Sequence, residues 1–335
     1  MDRIAFIIGE SFVYWNSIIL VLAATAAICL FLHFYLRRPG NGAAAILLVP
    51  MAVILGMVIS RFIHWYCRTD SYDSLAAAMT NYSRGGFALM GVFFGCVISA
   101  CLLRLVGVIR NLPETFDCLS LGGAAGIAVG RLACLFTSAD RGDIIEGITS
   151  LPLVYPAANA VTGEPEYRLA TFMLQAIITG IIFLSLAVFY KCGKRRRNLR
   201  DGDTCLIFLL TYGASQIVLD STRYDSLFMR SNGFISLVQI LGLVFLLIAI
   251  GSFSYRMVRI IGFRKWFVGL WVSIVSLLGV AAYMEYHVQR HGDQALFAYS
   301  MMSACLIIVI ILTLVIRMFA VERERKLPVV EYDNL

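Results

Sequence analysis

A few places in this sequence set charged side chains inside apolar stretches, and each needs a physical reason. Arg131 lies within Gly126-Ile-Ala-Val-Gly130-Arg131-Leu-Ala-Cys134. A guanidinium in such a run must face a wet cavity, a partner or a lipid headgroup to offset its desolvation. Gly130 beside it lets a neighbouring backbone approach closely; the alternative is an arginine that snorkels to the membrane surface. Arg61 and His64 are three apart and Arg68 follows seven after Arg61, so all three share one helical face. Such a cluster suits an anion or, beside Trp65 and Tyr66, an interfacial anchor.

Two further patterns carry chemistry. Ser83-Arg84-Gly85-Gly86 leads into an apolar stretch, so amides freed by glycine stand at a helix N-terminus beside an arginine. That arrangement suits phosphate, although a glycine pair also makes an ordinary turn. Tyr212, Gln216, Asp220 and Arg223 recur at three- and four-residue spacings along one stripe. The stripe either lines something or reduces to an exposed Asp220–Arg223 pair of little energetic consequence.

The elements that must position these residues are membrane helices. Of 335 residues, 60% are hydrophobic and 15% charged, a balance that a domain with a water-facing exterior does not need. Apolar runs of the length a helix needs to cross about 30 Å of hydrocarbon recur from end to end. The sequence predicts about nine, near 17–36, 43–66, 87–109, 118–137, 169–190, 204–220, 234–253, 266–285 and 297–319. The fold class expected is therefore all-α, a polytopic transmembrane helical bundle. The first run lacks a small-residue cleavage site and more spans follow, so it reads as a retained helix. Between the fourth and fifth runs, segment 138–168 holds Asp140, Arg141, Asp143, Glu146, Tyr155, Glu164, Glu166 and Arg168. A polar loop of that length is expected to be a lid or substrate arm, or disordered.

The formal net charge of +7 raises the question of nucleic acid, but the basic residues mark alternate connections. Arg37 and Arg38, Arg110, Lys191 to Arg200, Arg256 to Lys265, and Arg323 to Lys326 fall in loops expected to be cytoplasmic. With nine spans this puts the N-terminus outside and the C-terminus in the cytoplasm. The nine cysteines include no CxxC pair and the four histidines are scattered, so neither a disulfide framework nor a metal centre is expected.

At these residues the sequence resembles the bacterial prolipoprotein diacylglyceryl transferases over roughly residues 10–250. Arg84-Gly-Gly-Phe-Ala-Leu-Met90-Gly91-Val-Phe-Phe-Gly95 looks like the family's glycine-rich third-helix motif, and Gly130-Arg131-Leu-Ala-Cys134 with Gly142 like its signature segment. Arg61 falls where the family keeps an arginine, Tyr14-Trp15 where it has aromatic residues, and Tyr212-Gly213 through Asp220 and Arg223 where it has its late motif, with Gln239 fitting the last family helix. Met90 stands where the family commonly has His or Tyr. Ala139 stands where a polar group is common, with Asp140 adjacent, and Gln216 occupies an arginine position.

The resemblance implies seven core spans, in residues 1–255, then an added helix pair in 256–320 and a cytoplasmic tail in 321–335. It implies transfer of the diacylglyceryl group from phosphatidylglycerol to the lipobox cysteine of a preprolipoprotein in the bacterial cell membrane. No metal or organic cofactor and no nucleic acid are called for. Arg131, Asp140, Tyr212 and Asp220 are the catalytic candidates. Arg61, Arg84, Gly85, Gly86, Arg131 and Arg223 are candidates for the lipid phosphate, with His64, Tyr14 and Gln216 in support. Arginine suits phosphate because its planar fork binds two oxygens and stays protonated. The base that ionises the thiol is open among Asp140, His64, Asp220 and Tyr212. Competing readings are a silent member that binds anionic lipid or lipoprotein precursor, and a small-solute transporter, for which no inverted repeat is visible.

Overall fold

The computed structural model describes residues 4–9, 11–37, 42–81, 86–137, 139–144, 153–158, 163–195, 198–229, 232–291 and 294–326. In chain order the elements are β1 (Ile4–Ile8), β2 (Ser11–Tyr14), α1 (Trp15–Tyr35), α2 (Gly42–Cys67), a 3₁₀ turn (Thr69–Ser71), α3 (Leu75–Thr80), α4 (Leu89–Leu105), α5 (Leu112–Arg131) and a second 3₁₀ turn (Leu132–Phe136). They continue with β3 (Val154–Ala158), β4 (Pro165–Leu169), α6 (Thr171–Arg195), α7 (Asp203–Ser221), β5 (Phe228–Met229), β6 (Asn232–Ser236), α8 (Leu237–Ile261), α9 (Lys265–His291) and α10 (Ala295–Lys326).

Among the described residues, eight helices are long and apolar enough to cross a bilayer, and α4 is a shorter apolar helix of 17 residues. The chain is a multi-pass helical membrane protein. Each predicted run overlaps one of these nine helices, but several edges differ. The third helix begins at Leu89, because Gly86 to Ala88 are non-helical, and it stops before Gly107, whose φ of +81° ends it. The fourth begins at Leu112, six residues earlier than expected. The Asn111 side chain accepts from the Glu114 amide at 3.3 Å and proline occupies the first turn, a start signal hidden by the polar residues around it. Arg131 is the last α-helical residue of α5 and not a mid-span group.

Among the described residues, three antiparallel two-stranded hairpins, β1–β2, β3–β4 and β5–β6, decorate the bundle. By alternation along the chain they lie on the same side as the segment between α2 and α4. The described part of 138–168 holds the β3–β4 hairpin and an extended stretch whose Gly142 and Ile144 bridge Arg223 and Arg168, while Glu146 lies outside the described residues.

The chain divides into two compact units, Met1–Phe208 with Leu219–Ile240, and Leu209–Val218 with Leu241–Leu335. In the first unit, helices meet through small residues, as expected where no hydrophobic drive separates helix from lipid. A Cβ added to Gly91 of α4 would fall on the Ser60 backbone of α2, and one added to Gly95 on that of Gly56. Ser60 also stitches the pair: its Oγ donates to the Ala88 carbonyl at 2.6 Å and its own carbonyl accepts the Ala88 amide at 3.2 Å. Gly122 and Gly126 of α5 pack against Ala27 of α1 in the same way, with added Cβ atoms 2.5 Å from its carbonyl oxygen and 2.7 Å from its Cβ. Buried Asp117 of α5 accepts the amides of Gly202 and Cys205, both at 2.8 Å, and so caps the start of α7 from another helix.

In the second unit, Gly213 and Gly242 let α7 and α8 approach, each placed so that a Cβ would meet the other's carbonyl oxygen at 2.6 and 2.8 Å. Trp271 of α9 donates to Ser254 of α8 at 3.0 Å, and Trp266 packs edge-on against Phe319 of α10 with centroids 5.3 Å apart. Tyr212 and Gln216 are buried here.

The α2–α4 seam makes a direct prediction. Gly91→Ala is expected to cost about 1–3 kcal/mol through overpacking, whereas Gly123→Ala, with nothing within 4 Å of the added carbon, is expected to leave stability unchanged or slightly higher. Thermal unfolding of both variants in detergent micelles checks this.

Candidate functional site

The site is built on a short strand of backbone, 140–144, threaded between two helix ends. Its Gly142 amide donates to the Leu169 carbonyl at 2.8 Å and the Leu169 amide to Asp143 at 3.1 Å. The Phe172 amide donates to Asp140 at 3.0 Å, and the Tyr224 amide to Arg141 at 3.2 Å. Gly142 has to be glycine here, since a Cβ would lie 2.8 Å from both Thr171 Oγ1 and the Thr222 carbonyl. Asp140 takes φ +56°, a conformation that Asp tolerates better than most residues. The start of α6, the segment after α7 and this strand thus fix one another.

That frame delivers Asp140 between two arginines. One carboxylate oxygen pairs with Arg131 Nη1 and the other with Arg223 Nη2. The Cys134 thiol donates to Asp140 at 3.3 Å. Arg223 reaches further, to Asp220 Oδ1 at 3.0 Å and to Asp225 Oδ1 from Nε at 3.1 Å and Nη2 at 3.0 Å. Asp225 closes the ring by accepting the Asp140 amide at 2.9 Å. Asp220 is in turn hydrogen-bonded by the Ser236 hydroxyl, and Ser236 and Gln239 hold each other, amide to Oε1 at 3.0 Å and amide to Oγ at 3.1 Å. Burial works against the Asp140 charge, but the guanidinium groups of Arg131 and Arg223 outweigh it and hold the carboxyl at about 2. Burial also opposes the Arg223 charge, and Asp140, Asp220 and Asp225 more than restore it.

These groups border a cavity of about 460 Å³, whose walls include His64, Gly86, Met90, Arg131, Asp140 and Arg223, with Arg68 and Asp225 beside them. The volume is that of a small-molecule site. Gly86, at φ +87°, is another position that a side chain would ruin, since a Cβ would overlap the Tyr72 hydroxyl and the His64 ring. Chemically the cavity offers cations that never lose their charge, facing carboxylates that an entering anion must displace.

The candidates from sequence distribute unevenly. Arg131, Asp140, Arg223, Gly86 and His64 meet at the cavity. The exposed-pair alternative for Asp220 and Arg223 fails: Asp220 is buried and acts from behind, through Arg223. Arg61, expected at the phosphate, is instead fully buried and donates to three backbone carbonyls: Ala78 at 2.6 Å, Asn81 at 2.6 Å and Gly86 at 2.8 Å. It fastens the segment before α4 rather than a ligand. Arg68 departs from the same stack to reach the Asp225 carbonyl at 3.2 Å. Tyr14 is 44% exposed at the N-cap of α1, away from the cavity wall. Tyr212 and Gln216 belong to the second unit, and Arg84 and Gly85 lie outside the described residues. Sequence reasoning missed Asp225, although the spacing Asp220, Arg223, Asp225 carried a signal: an arginine flanked by two acids within six residues.

Residues 3–255 match the family model described as prolipoprotein diacylglyceryl transferase. The chain is similar to the phosphatidylglycerol–prolipoprotein diacylglyceryl transferase of Bacillus licheniformis, at 23% identity over 76% of this chain and 93% of that protein. It is also similar to those of Dehalococcoides mccartyi, 24% over 77% and 94%, and of Lactococcus lactis subsp. cremoris, 25% over 77% and 96%. The family match ends before α9 and α10.

The Asp140 network fixes a pH dependence. A carboxyl held at about 2 in the folded protein against about 3.9 when unfolded contributes its stability above roughly pH 4 and loses it as pH falls toward 2, a swing of about 2.5 kcal/mol. Asp140→Asn is expected to abolish that part of the acid sensitivity. It is also expected to lower stability near neutrality by about 3 kcal/mol, because two buried guanidiniums lose their shared partner. Unfolding in micelles between pH 3 and 7 measures both.

Proposed function

We propose that this chain, which belongs to the prolipoprotein diacylglyceryl transferase family, moves the diacylglyceryl group of phosphatidylglycerol onto the lipobox cysteine of a preprolipoprotein in the bacterial cell membrane. The observation that carries the reading is the convergence of Arg131 and Arg223 on one carboxylate at the wall of the cavity. The lipid phosphate competes with Asp140 for these guanidiniums. As the bond from glyceryl carbon to phosphate oxygen breaks, the charge gathering on the departing glycerol phosphate meets donors already in place. Sulfur from the acceptor cysteine takes the carbon, giving a thioether. Asp220 and Asp225 steady Arg223, and Arg61 positions Gly86 at the cavity edge.

We assign this activity to residues 1–255 and read α9 and α10 as an added pair, and the basic connections favour an N-terminus outside and a C-terminus in the cytoplasm. A second reading, a member that binds anionic lipid without transfer, draws on Met90, a cavity wall residue that cannot move a proton.

The test uses purified protein in phosphatidylglycerol micelles, a lipobox peptide and mass spectrometry for the diacylglyceryl adduct. Wild type is expected to form the adduct, and Arg131→Ala to lower its rate by about 10²–10³-fold, the usual effect of removing one preorganised donor. Folded wild type that binds phosphatidylglycerol but yields no adduct would establish the binding reading in its place.

A further inference from the structure

An acceptor thiol with a free pKa of about 8.5 is only a few per cent ionised at pH 7, so a group at the cavity has to receive its proton. The arginines cannot. Of the two carboxylates at the wall, Asp140 is shared by Arg131 and Arg223, and Asp225 receives Arg223 on one oxygen and the Asp140 amide on the other. Met90 has no proton chemistry. Ser71, also on the wall, carries a hydroxyl too weakly basic to take a thiol proton, which leaves His64 as the basic side chain among the described wall residues.

Its surroundings hold the ring at a set angle. Tyr72 Oη lies 2.9 Å from Nδ1, and the two rings meet edge to face at 86°. The absence of a side chain at Gly86 leaves the space in which the ring sits, since a Cβ there would lie 2.7 Å from Cε1 and 2.8 Å from Nδ1. One turn earlier on α2, Arg61 ties Gly86 to the same helix through its carbonyl. Nδ1 is thus committed to Tyr72 and Nε2 is the nitrogen left for a substrate. The charged or titratable groups around the ring are Arg61 on α2, Arg68 just after it, Tyr72 beyond, and Arg131, Asp140, Arg223 and Asp225 from the other cavity walls.

We infer that His64 is a catalytic residue, the proton acceptor for the incoming thiol. The inference rests on the transferase reading. The S–H proton passes to Nε2 and the sulfur electron pair forms the C–S bond at the glyceryl carbon. The C–O bond to phosphate breaks, its electrons leaving on glycerol phosphate held by Arg131 and Arg223. The imidazolium then returns its proton to the departing phosphate or to water. A histidine of α2 thereby supplies the proton transfer that Met90, on the wall of the same cavity, cannot.

The experiment is the pH dependence of peptide lipidation, from pH 6.5 to 9.5, for wild type and His64→Gln in phosphatidylglycerol micelles. At pH 7 His64→Gln is expected to be slower by about 10²-fold, the lower end for a lost general base. By pH 9.5, where most of the thiol is ionised unaided, the deficit is expected to shrink to less than tenfold. A deficit of equal size at every pH would overturn the inference, since loss of packing does not depend on thiol ionisation. So would rates within twofold of wild type throughout. If His64→Gln melts below the assay temperature, the same comparison is made with Tyr72→Phe, which keeps the ring and removes the group that orients it. There a smaller deficit, about threefold to tenfold, is expected to close with rising pH, and an unchanged profile overturns the inference. Wild type that forms no adduct at any pH removes the transferase reading first, and the inference with it, before any variant is compared.

Discussion

Two guanidinium groups from distant parts of the chain share one carboxylate, and the surrounding backbone is arranged to make that sharing possible. Arg131 ends α5, Arg223 follows α7, and Asp140 stands on a strand that neither helix contains. In a low-dielectric setting a lone charge costs several kcal/mol, so each of the three requires the others. The requirement propagates outward. Gly142 has to lack a side chain for the strand to pass, Asp225 has to accept the Asp140 amide, and Ser236 has to bond the carboxylate behind Arg223. Like-charged arginines are thus held at one site by a group that an entering phosphate can replace in kind.

A second constraint is the closeness of helix backbones. Gly91, Gly95, Gly122 and Gly126 bring α2 against α4 and α1 against α5, leaving no room for side chains at the seams. Membrane helices gain little from burying apolar surface against one another, so contact of this kind has to come from shape and polar stitching. Ser60 and Arg61 show both in consecutive residues. The first bonds the Ala88 backbone, and the second spends its guanidinium on carbonyls 17, 20 and 25 residues away. The rigidity of the cavity edge follows from these backbone contacts.

Much of this was legible in the sequence because the medium makes polar residues conspicuous. Nine apolar runs announced the helices, and Arg131, Arg223, Gly86 and His64 drew notice as ionisable or glycine residues that a plain lipid-facing helix has no use for. What escaped was whatever depends on backbone acceptors or on distant partners. Arg61 looks in sequence like any phosphate ligand, since nothing local reveals that its acceptors are carbonyls. The capping of α7 by Asp117 joins residues 85 and 88 apart, beyond any local pattern. The hairpins were missed because their strands are two to five residues long and border stronger helical signals. Asp140 stands beside the position that the family pattern marks at Ala139, and it takes a left-handed backbone conformation there.

The length of α10 sets a condition on the bilayer itself. Thirty-two residues at 1.5 Å each give about 48 Å, and fitting all of it within about 30 Å of hydrocarbon would need a tilt near 50°, steeper than membrane helices adopt. The stretch from Ala295 to Arg317 is about 34 Å long and fits with a tilt near 30°. The final charged turn, which carries Glu322, Arg323 and Glu324, therefore extends past the hydrocarbon, while Phe319 before it still packs on Trp266. A thicker membrane would draw that charged stretch toward the headgroups, so hydrophobic mismatch makes this helix sensitive to the lipid composition around it.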